Sequence, residues 1–419
     1  MTFVVTNPLH YVYYPRVSST RSIAAAGSLA DEYGSALGFT QLKILNALNT
    51  VKSLIEADTE SEGPYISWRS AETAKPMLGN QVALASRIES KATIRTIIDD
   101  RYFARFVELD PIDFSRRSFD ELATMVNSAR IVIQQDNSTG GKGTFFVHDG
   151  DSLAAVHEAL RDNTQQIVVS AFVSGENRAI QCLRLRGKTF VQNWWHRDLV
   201  SVEGIYNPDV PSATRYCGAI LENLPKHRIG EVYELARMVG DKIGNMGYEG
   251  VFGIDLVEPL TAEEPMILIE VNARLTAVSH LYATAMHRCG YQTDYVTLSL
   301  NSLTSAPVDL SELDEQRDLP SSYYYFKLQN LDTVSRSLSA EAKLGVYDAE
   351  NLYQRFGWGI NDLSEQTEFI VIPEVAHDIS REPGQRTFSI IGSGDPMHNG
   401  RLSPDYRKRI AALNAVMLQ

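Results

Sequence analysis

The segment Gly247–Ala277, GYEGVFGIDLVEPLTAEEPMILIEVNARLTA, constrains the fold more tightly than any other part of the chain. Two aliphatic runs flank a polar turn rich in Pro and Glu, which reads as two neighbouring strands. Side chains alternate along a strand, so Glu270, Asn272 and Arg274 share one face and Ile269, Val271 and Ala273 the other. A mostly buried strand has little reason to carry three polar residues on one face unless they are paired or liganded, because burying them unpartnered is costly. Asp255, at the end of the first run, adds a second carboxylate. Carboxylate and amide oxygens of this kind suit Mg²⁺, which takes one or two carboxylates together with phosphate oxygens. The arginine beside them suits a phosphate or a carboxylate. The competing reading is a salt-bridged sheet edge, with Glu270 paired to Arg274 along the strand and Asp255 capping a turn.

Two further segments bear on the chemistry. Asn137–Thr144, NSTGGKGT, lies between the strand-like runs IVIQQ and TFFV. Its glycines allow close backbone approach, successive N–H groups can cradle phosphate oxygens, and Lys142 adds charge. It is not a Walker A loop, because Lys142 is followed by Gly143 and a strand rather than by a helix. A strand–glycine loop–strand is instead a flap over phosphates, or simply a long hairpin turn. In VVSAFVSGENRAI, backbone groups near Ala171 and Val173 could read a base edge and Glu176 could accept from ribose hydroxyls. A Gly-Glu corner between strands is also commonplace.

Composition bounds the alternatives. A chain of 419 residues calls for two or three domains. A formal net charge of −13 without a basic face or tail argues against nucleic acid as the main partner. No apolar run is long enough to span a membrane, and the N-terminus lacks the basic and long apolar regions of a signal peptide. The three cysteines, Cys182, Cys217 and Cys289, are far apart and odd in number, so a cytoplasmic, reducing location without a disulfide framework is expected.

Along the chain, residues 1–79 mix short apolar runs with one helix-like stretch, LKILNALNTVKSLIEA. Val82–Asp100 reads as helical, and FARFVELDPIDF as a short strand and a Pro turn. Ser118 with Glu121 gives a capping-box signature. A helix opened by Asp151 or Ser152 precedes the strand QIVVSAFV, and GENRAIQCLRLRG with KTFVQNWW makes a hairpin. Strands and helices alternate without sustained parallel βαβ repetition, which indicates an α+β, or mixed α/β, layout. After Ala306, SSYYYFKLQN, TEFIVIPEV and RTFSIIGSG read as strands and SPDYRKRIAALNAVMLQ as a closing helix capped by Ser403, together a small β-rich domain. The turn-rich GSGDPMHNGRLSP is read as an exposed hairpin in preference to an acceptor-site border carrying His398 or Arg401. Trp194, Trp195 and His196 are expected to pack, and His280 and His287 to be structural.

Taken in order, Lys91 on a helical segment, the strand–SxGGKG–strand unit, VVSAFVSGE, GYEGVFGIDL and EVNAR resemble the ATP-grasp superfamily over roughly residues 79–305. The resemblance implies ATP held between two α+β subdomains beneath a glycine-rich flap. It implies an N-terminal pre-ATP-grasp domain over 1–89, a core over 90–305 with a flap subdomain at about 130–200, and the β-rich domain over 306–419. By matching position, Lys91 looks like the lysine that contacts the phosphates. Ser138, Gly140, Gly141, Lys142 and Gly143 look like the flap. Ser170, Ala171, Phe172 and Val173 look like the adenine hinge, and Glu176 like the ribose-binding acid. Asp255, Glu270 and Asn272 look like ligands of Mg²⁺, with two ions expected and Mn²⁺ as a substitute. Arg274 looks like the arginine that steadies the transferring phosphate or the acyl phosphate, and Arg215 is a further, weaker candidate over the γ-phosphate. One departure stands out: where many members carry a strand lysine before the flap, this chain has Gln134 or Gln135, so Lys142 or Arg178 is expected to compensate. Ser90 also precedes Lys91 where an acidic or amide residue is common.

These features resemble divergent peptide-forming ligases of natural-product pathways. The implied activity is amide formation between a small carboxylate and an amine through an acyl phosphate, with ADP and phosphate released. The partners are then a small carboxylate and an amine, an amino acid or peptide; composition argues against nucleic acid and membrane, and a homodimer is only the default for closed point groups. A carboxylase or phosphotransferase on the same fold, or a non-catalytic ATP-binding scaffold, are the alternatives.

Overall fold

The computed structural model describes residues 2–4, 65–67, 80–136, 143–210, 215–261, 263–295, 298–299, 309–339, 342–343, 345–348, 350–355, 362–364, 367–373 and 380–418. The helix expected within residues 42–57 and loop residues 137–142 lie outside them.

Local sequence explains where the first elements start and stop. The helical run Val82–Asp100 is broken into α1 (Asn80–Ile88) and α2 (Lys91–Ile97). Ser90 is extended at φ −65°, ψ 121°, and its hydroxyl accepts from the Thr93 N–H, so it caps a new helix instead of continuing the old one. After β1 (Phe106–Leu109), the expected Pro turn is a short helix, Pro111–Ser115, capped by Asp110. The Ser118–Glu121 capping box opens α3 (Phe119–Val126) as expected. The cap of α4 (Gly150–Ala159) is Asp149, not Asp151 or Ser152: its carboxylate accepts from the Ser152 N–H, and the Ser152 hydroxyl completes a reciprocal box.

Strands β1, β2 (Ile131–Gln135), β3 (Thr144–Val147) and β4 (Ile167–Ala171) form a small antiparallel sheet in the order β1-β4-β2-β3. Leu122 and Val126 of α3 and Leu153 and Val156 of α4 pack on Ile131, Ile133 and Val169. The chain enters this sheet past Arg105 and leaves it past Ala171, and the Ala171 N–H donates to the Arg105 carbonyl at 2.8 Å.

The remaining strands build one large sheet. They are β5 (Gly175–Leu185), β6 (Lys188–Val191), β7 (Trp194–Val200), β8 (Tyr216–Asn223), β9 (Gly250–Pro259), β10 (Ile267–Asn272), β11 (Tyr323–Gln329), β12 (Gly345–Tyr347), β13 (Tyr353–Arg355), β14 (Phe369–Pro373) and β15 (Arg386–Ser393). Their order is β10-β9-β5-β7-β8-β11-β15-β14-β12-β13, with β6 paired to β5 in the expected hairpin, and every pairing is antiparallel. The strands after residue 306 therefore extend the same sheet that carries Asp255 and Glu270. β8 meets β11 at Gly218, whose φ is +135° and where a Cβ would lie 1.8 Å from the Tyr325 carbonyl oxygen.

Helix α5 (Ile229–Asn245) covers one face, burying Val232, Leu235, Val239 and Ile243 against Ile180, Cys182, Phe252 and Ile254. Helix α6 (Ser279–Arg288) covers the other, with Leu281, Tyr282 and Ala285 packed on Leu183, Ala219, Leu221 and Tyr325. The closing helix α7 (Pro404–Met417) packs Ile410, Leu413 and Met417 with Val371 and Ile390; Ser403 stands at its N-cap without a side-chain cap bond. No helix among the described residues is long and apolar enough to cross a membrane.

Candidate active site

The register of β9 and β10 sets Asp255 opposite Glu270 and Gly253 opposite Asn272. Ile254 and Val271 point into the core under α5, so the three polar residues share the α6 face, as their alternation predicts. Asn272 Nδ2 donates to Asp255 Oδ2 at 3.2 Å and lies 3.4 Å from Glu270 Oε1. Arg274 donates to Asn272 Oδ1 at 2.7 Å and pairs with Glu89 at 3.1 Å. The salt-bridged edge is therefore not what forms: Glu270 pairs with Lys91 Nζ at 3.1 Å instead of with Arg274.

The charges are unequal. Burial, and then the facing Glu270 and Asp198 carboxylates, push the Asp255 carboxyl well above the usual range. Burial also pushes Glu270 up, yet Lys91, a hydrogen bond from Asp255 and Arg274 together hold it below its ordinary value. Burial and its acidic neighbours thus favour the neutral form of Asp255, while Lys91 and Arg274 favour the charged form of Glu270. Among the described residues no three His, Cys, Asp or Glu side chains converge as a metal cluster. Two carboxylates and an amide oxygen are nonetheless a donor set that suits Mg²⁺ when phosphates supply the other ligands, although here the Asn272 oxygen is engaged by Arg274.

Three consecutive residues position this group. Glu89 takes Arg274, Lys91 takes Glu270, and Ser90 between them donates to Asp136 Oδ1 at 2.9 Å. Asp136 follows β2 and immediately precedes the glycine loop. Its carboxylate also accepts the Ala92 N–H at 2.9 Å, and its carbonyl accepts from Lys91 Nζ at 3.4 Å. Arg95, one turn along α2, donates to the Lys91 carbonyl at 2.9 Å and lies over the rings of Phe103 and Phe106 at 5.0 and 5.2 Å. Burial draws its pKa down to about 10.

The other expected residues divide. Ser138, Gly140, Gly141 and Lys142 lie outside the described residues. Gly143 is buried, and its carbonyl accepts from the Gln135 N–H at 2.9 Å. Gln134 points away from the α3/α4 layer and approaches Thr144 Oγ1 at 3.4 Å, whereas Gln135 shares the face of Ile131 and Ile133 and bonds Asn163 at 3.0 Å. Of the two glutamines, only Gln134 stands on the face away from the helices. Ala171 and Phe172 have their N–H groups bonded to Arg105 and Arg130, and the Arg130 guanidinium lies over the Phe172 ring at 3.8 Å. Val173 is half-buried in the connector to the large sheet.

Glu176 is exposed and paired with Arg178 at 2.7 Å. Arg178 also holds Glu222 and Glu258, each at 2.8 Å, and lies over Trp195 at 4.5 Å. Engaged by three carboxylates, it is not brought to the place of the missing strand lysine. Arg215 is exposed ahead of β8, and among the described residues nothing links it to the Lys91–Glu270 group. Trp194 and Trp195 pack as expected, His280 sets its ring against Tyr325 at 4.6 Å, and His287 pairs with Asp294 at 3.1 Å. His398 is exposed on a short hairpin, Met397–His398 with Arg401–Leu402.

Two residues had no signal in the sequence. Asp136 caps a helix that precedes it by more than a strand and two helices. Asp198, on β7, has its carboxyl pushed up to about 7 by burial and then by Glu270, against the pull of Lys327.

The sequence profile of the ATP-grasp domain matches residues 115–278. The chain carries an ATP-grasp domain. The match includes Asp255, Glu270, Asn272 and Arg274 but begins after Lys91. Solved structures share the ATP-grasp fold at low identity. An L-amino acid ligase from Bacillus licheniformis is 16% identical with a TM-score of 0.54, covering 88% of this chain and 83% of that one. N5-carboxyaminoimidazole synthase from Aspergillus clavatus, in complex with ADP and 5-aminoimidazole ribonucleotide, is 11% identical with a TM-score of 0.53, covering 94% and 95%. Phosphoribosylamine–glycine ligase from Thermotoga maritima is 13% identical with a TM-score of 0.52, covering 80% and 77%. No curated protein matches the sequence.

Proposed function

We propose that this ATP-grasp protein is an ATP-dependent ligase that joins a carboxylate to an amine, acting on an amino acid or small peptide. One observation carries the reading: three oxygen-donor side chains, Asp255, Glu270 and Asn272, face two cationic ones, Lys91 and Arg274, in a single connected cluster. Two of the three structural neighbours are named for ligation of an amino acid or of glycine, which supports the substrate class.

In this reading Asp255, Glu270 and Asn272 hold Mg²⁺, which neutralises phosphate charge when bound. Lys91, held by Asp136 and Glu270, is aimed at the nucleotide phosphates, and Arg274, held between Glu89 and Asn272, at the transferring group. A substrate carboxylate oxygen attacks the γ-phosphorus, the bond to the bridging oxygen breaks, and ADP leaves. The amine nitrogen then attacks the acyl carbon, the bond to the phosphate oxygen breaks, and the amine gives up a proton as phosphate departs. The protein contributes positioning and charge stabilisation more than covalent chemistry.

Phosphate release from ATP, measured across amino acids and short peptides with hydroxylamine present, tests this directly. The expected result is a hydroxamate of one carboxylate substrate, and at least a roughly 100-fold slower rate in Glu270→Gln and Asn272→Ala. Near-normal rates in either variant remove the metal assignment. ATPase activity that depends on bicarbonate would instead identify a carboxylase, and ATP binding without turnover under every mixture a scaffold.

A further inference from the structure

The polar face that carries Asp255 and Glu270 does not stop at those two strands. Register carries it on: Asp255 lies opposite Ala179, and Ala179 opposite His196 on β7, with Asp198 two residues further on the same face. Asp198 lies opposite Ala219 on β8, and Ala219 opposite Tyr325 on β11, from which Lys327 is two residues away on the same face. Helix α6 packs over the apolar part of this face, placing the Tyr282 hydroxyl 3.2 Å from His196 Nδ1 and His280 against Tyr325. A lysine from the C-terminal strands is thus brought to the surface that bears the metal-facing acids.

We propose that Lys327 and Asp198 form an amino-acid subsite beside the metal-facing acids, Lys327 reading the α-carboxylate and Asp198 the α-amine. This rests on the ligase reading and names the acceptor as a zwitterionic amino acid. Lys327 is 3% exposed, flanked by the rings of Tyr216 and Tyr325 at 5.4 and 5.3 Å. Burying an ammonium this deeply costs several kcal/mol unless anionic groups meet it. Asp198 keeps 29% of its side chain open, with His196 Nε2 at 3.7 Å behind it. The arrangement is a buried cation between two tyrosine rings and a half-buried acid on the same sheet face. Asp198 and the Asp255–Glu270 acids act on one another's charge, so Asp198 adjoins the proposed metal site. An attacking amine has to arrive there.

Calorimetric titration of the full chain with MgADP present tests the subsite without requiring turnover. Free L-amino acids are each compared with their methyl ester and carboxamide, which keep the amine and lose the carboxylate charge. The wild type is expected to prefer the free amino acid by about 100-fold. Lys327→Met should lose that preference, Lys327→Arg should restore part of it, and Asp198→Asn should weaken the free acid and the ester together. The subsite is overturned if no amino acid binds, if acid and ester bind alike to the wild type, or if Lys327→Met, folded by circular dichroism, still discriminates as the wild type does. Hydroxylamine trapping without amine separates the two readings. A chain that makes hydroxamate but ignores the carboxylate of the amino acid keeps the ligase and loses the subsite. One that binds selectively but never makes hydroxamate keeps the subsite and loses the ligase.

Discussion

Lys91 was visible in the sequence, and the residue that aims it was not. Asp136 takes the Ser90 hydroxyl and the Ala92 N–H, so removing its carboxylate leaves buried donors unsatisfied at the start of α2. Asp136→Ala is expected to lose roughly 2–3 kcal/mol in urea unfolding and to weaken ATP binding about tenfold. Unchanged nucleotide affinity would show that Lys91 is held without it. A second residue-scale expectation concerns pH. Burial lowers His196 to about 3. Below its ordinary value of 6.5 the unfolded chain binds a proton that the folded chain does not. Stability therefore rises with pH across this window and is lost as pH falls from 6.5 towards 3, by up to about 1.4 kcal/mol per pH unit. Melting temperature against pH should be flatter for His196→Asn, and equal slopes would remove the assignment. Asp255, Glu270 and Asn272 were legible because two-residue alternation is a local rule. Asp136, Asp198 and Lys327 were not, because each acquires its meaning from a partner distant in sequence.

At the scale of elements, the strands were read more surely than the helix boundaries. Aliphatic and aromatic runs bounded by turn residues located β2, β5, β9, β10, β11 and β15. The break at Ser90 was missed because its helix-forming neighbours on both sides outweigh one capping serine in any window average. Asp149 was passed over as a cap for Asp151 and Ser152, since all three suit the position and only backbone geometry decides. Gly218 shows how closely β8 and β11 approach. With φ at +135° and the Tyr325 carbonyl where a Cβ would sit, Gly218→Ala must both strain the backbone and part the strands. A loss of roughly 2–4 kcal/mol is expected in denaturant unfolding. A variant as stable as the wild type would mean that the two strands do not pair in this register.

For the whole molecule, the lesson is continuity. The extent of the resemblance and the strand-rich segment after Ala306 set a boundary near residue 305, yet β11 adds directly to β8 and carries the large sheet onward. Strand partnership across such a separation leaves no local trace, so the sequence showed the C-terminal strands but not their neighbours. Ending the chain at residue 305 would bare the edge of β8 and strip Tyr325, Ile370 and Ile391 from the core beneath α6. Such a fragment is expected to aggregate; a soluble fragment with a cooperative melt would show that the C-terminal strands are dispensable to the sheet.

The bond between the Ala171 N–H and the Arg105 carbonyl has a mechanical consequence. The chain enters the small sheet from α2 and leaves it into β5, and this bond pins the two crossings side by side. At the other end of β2, Asp136 is bonded to Ser90 and Ala92 of α2, so the small sheet is held at both ends of that strand.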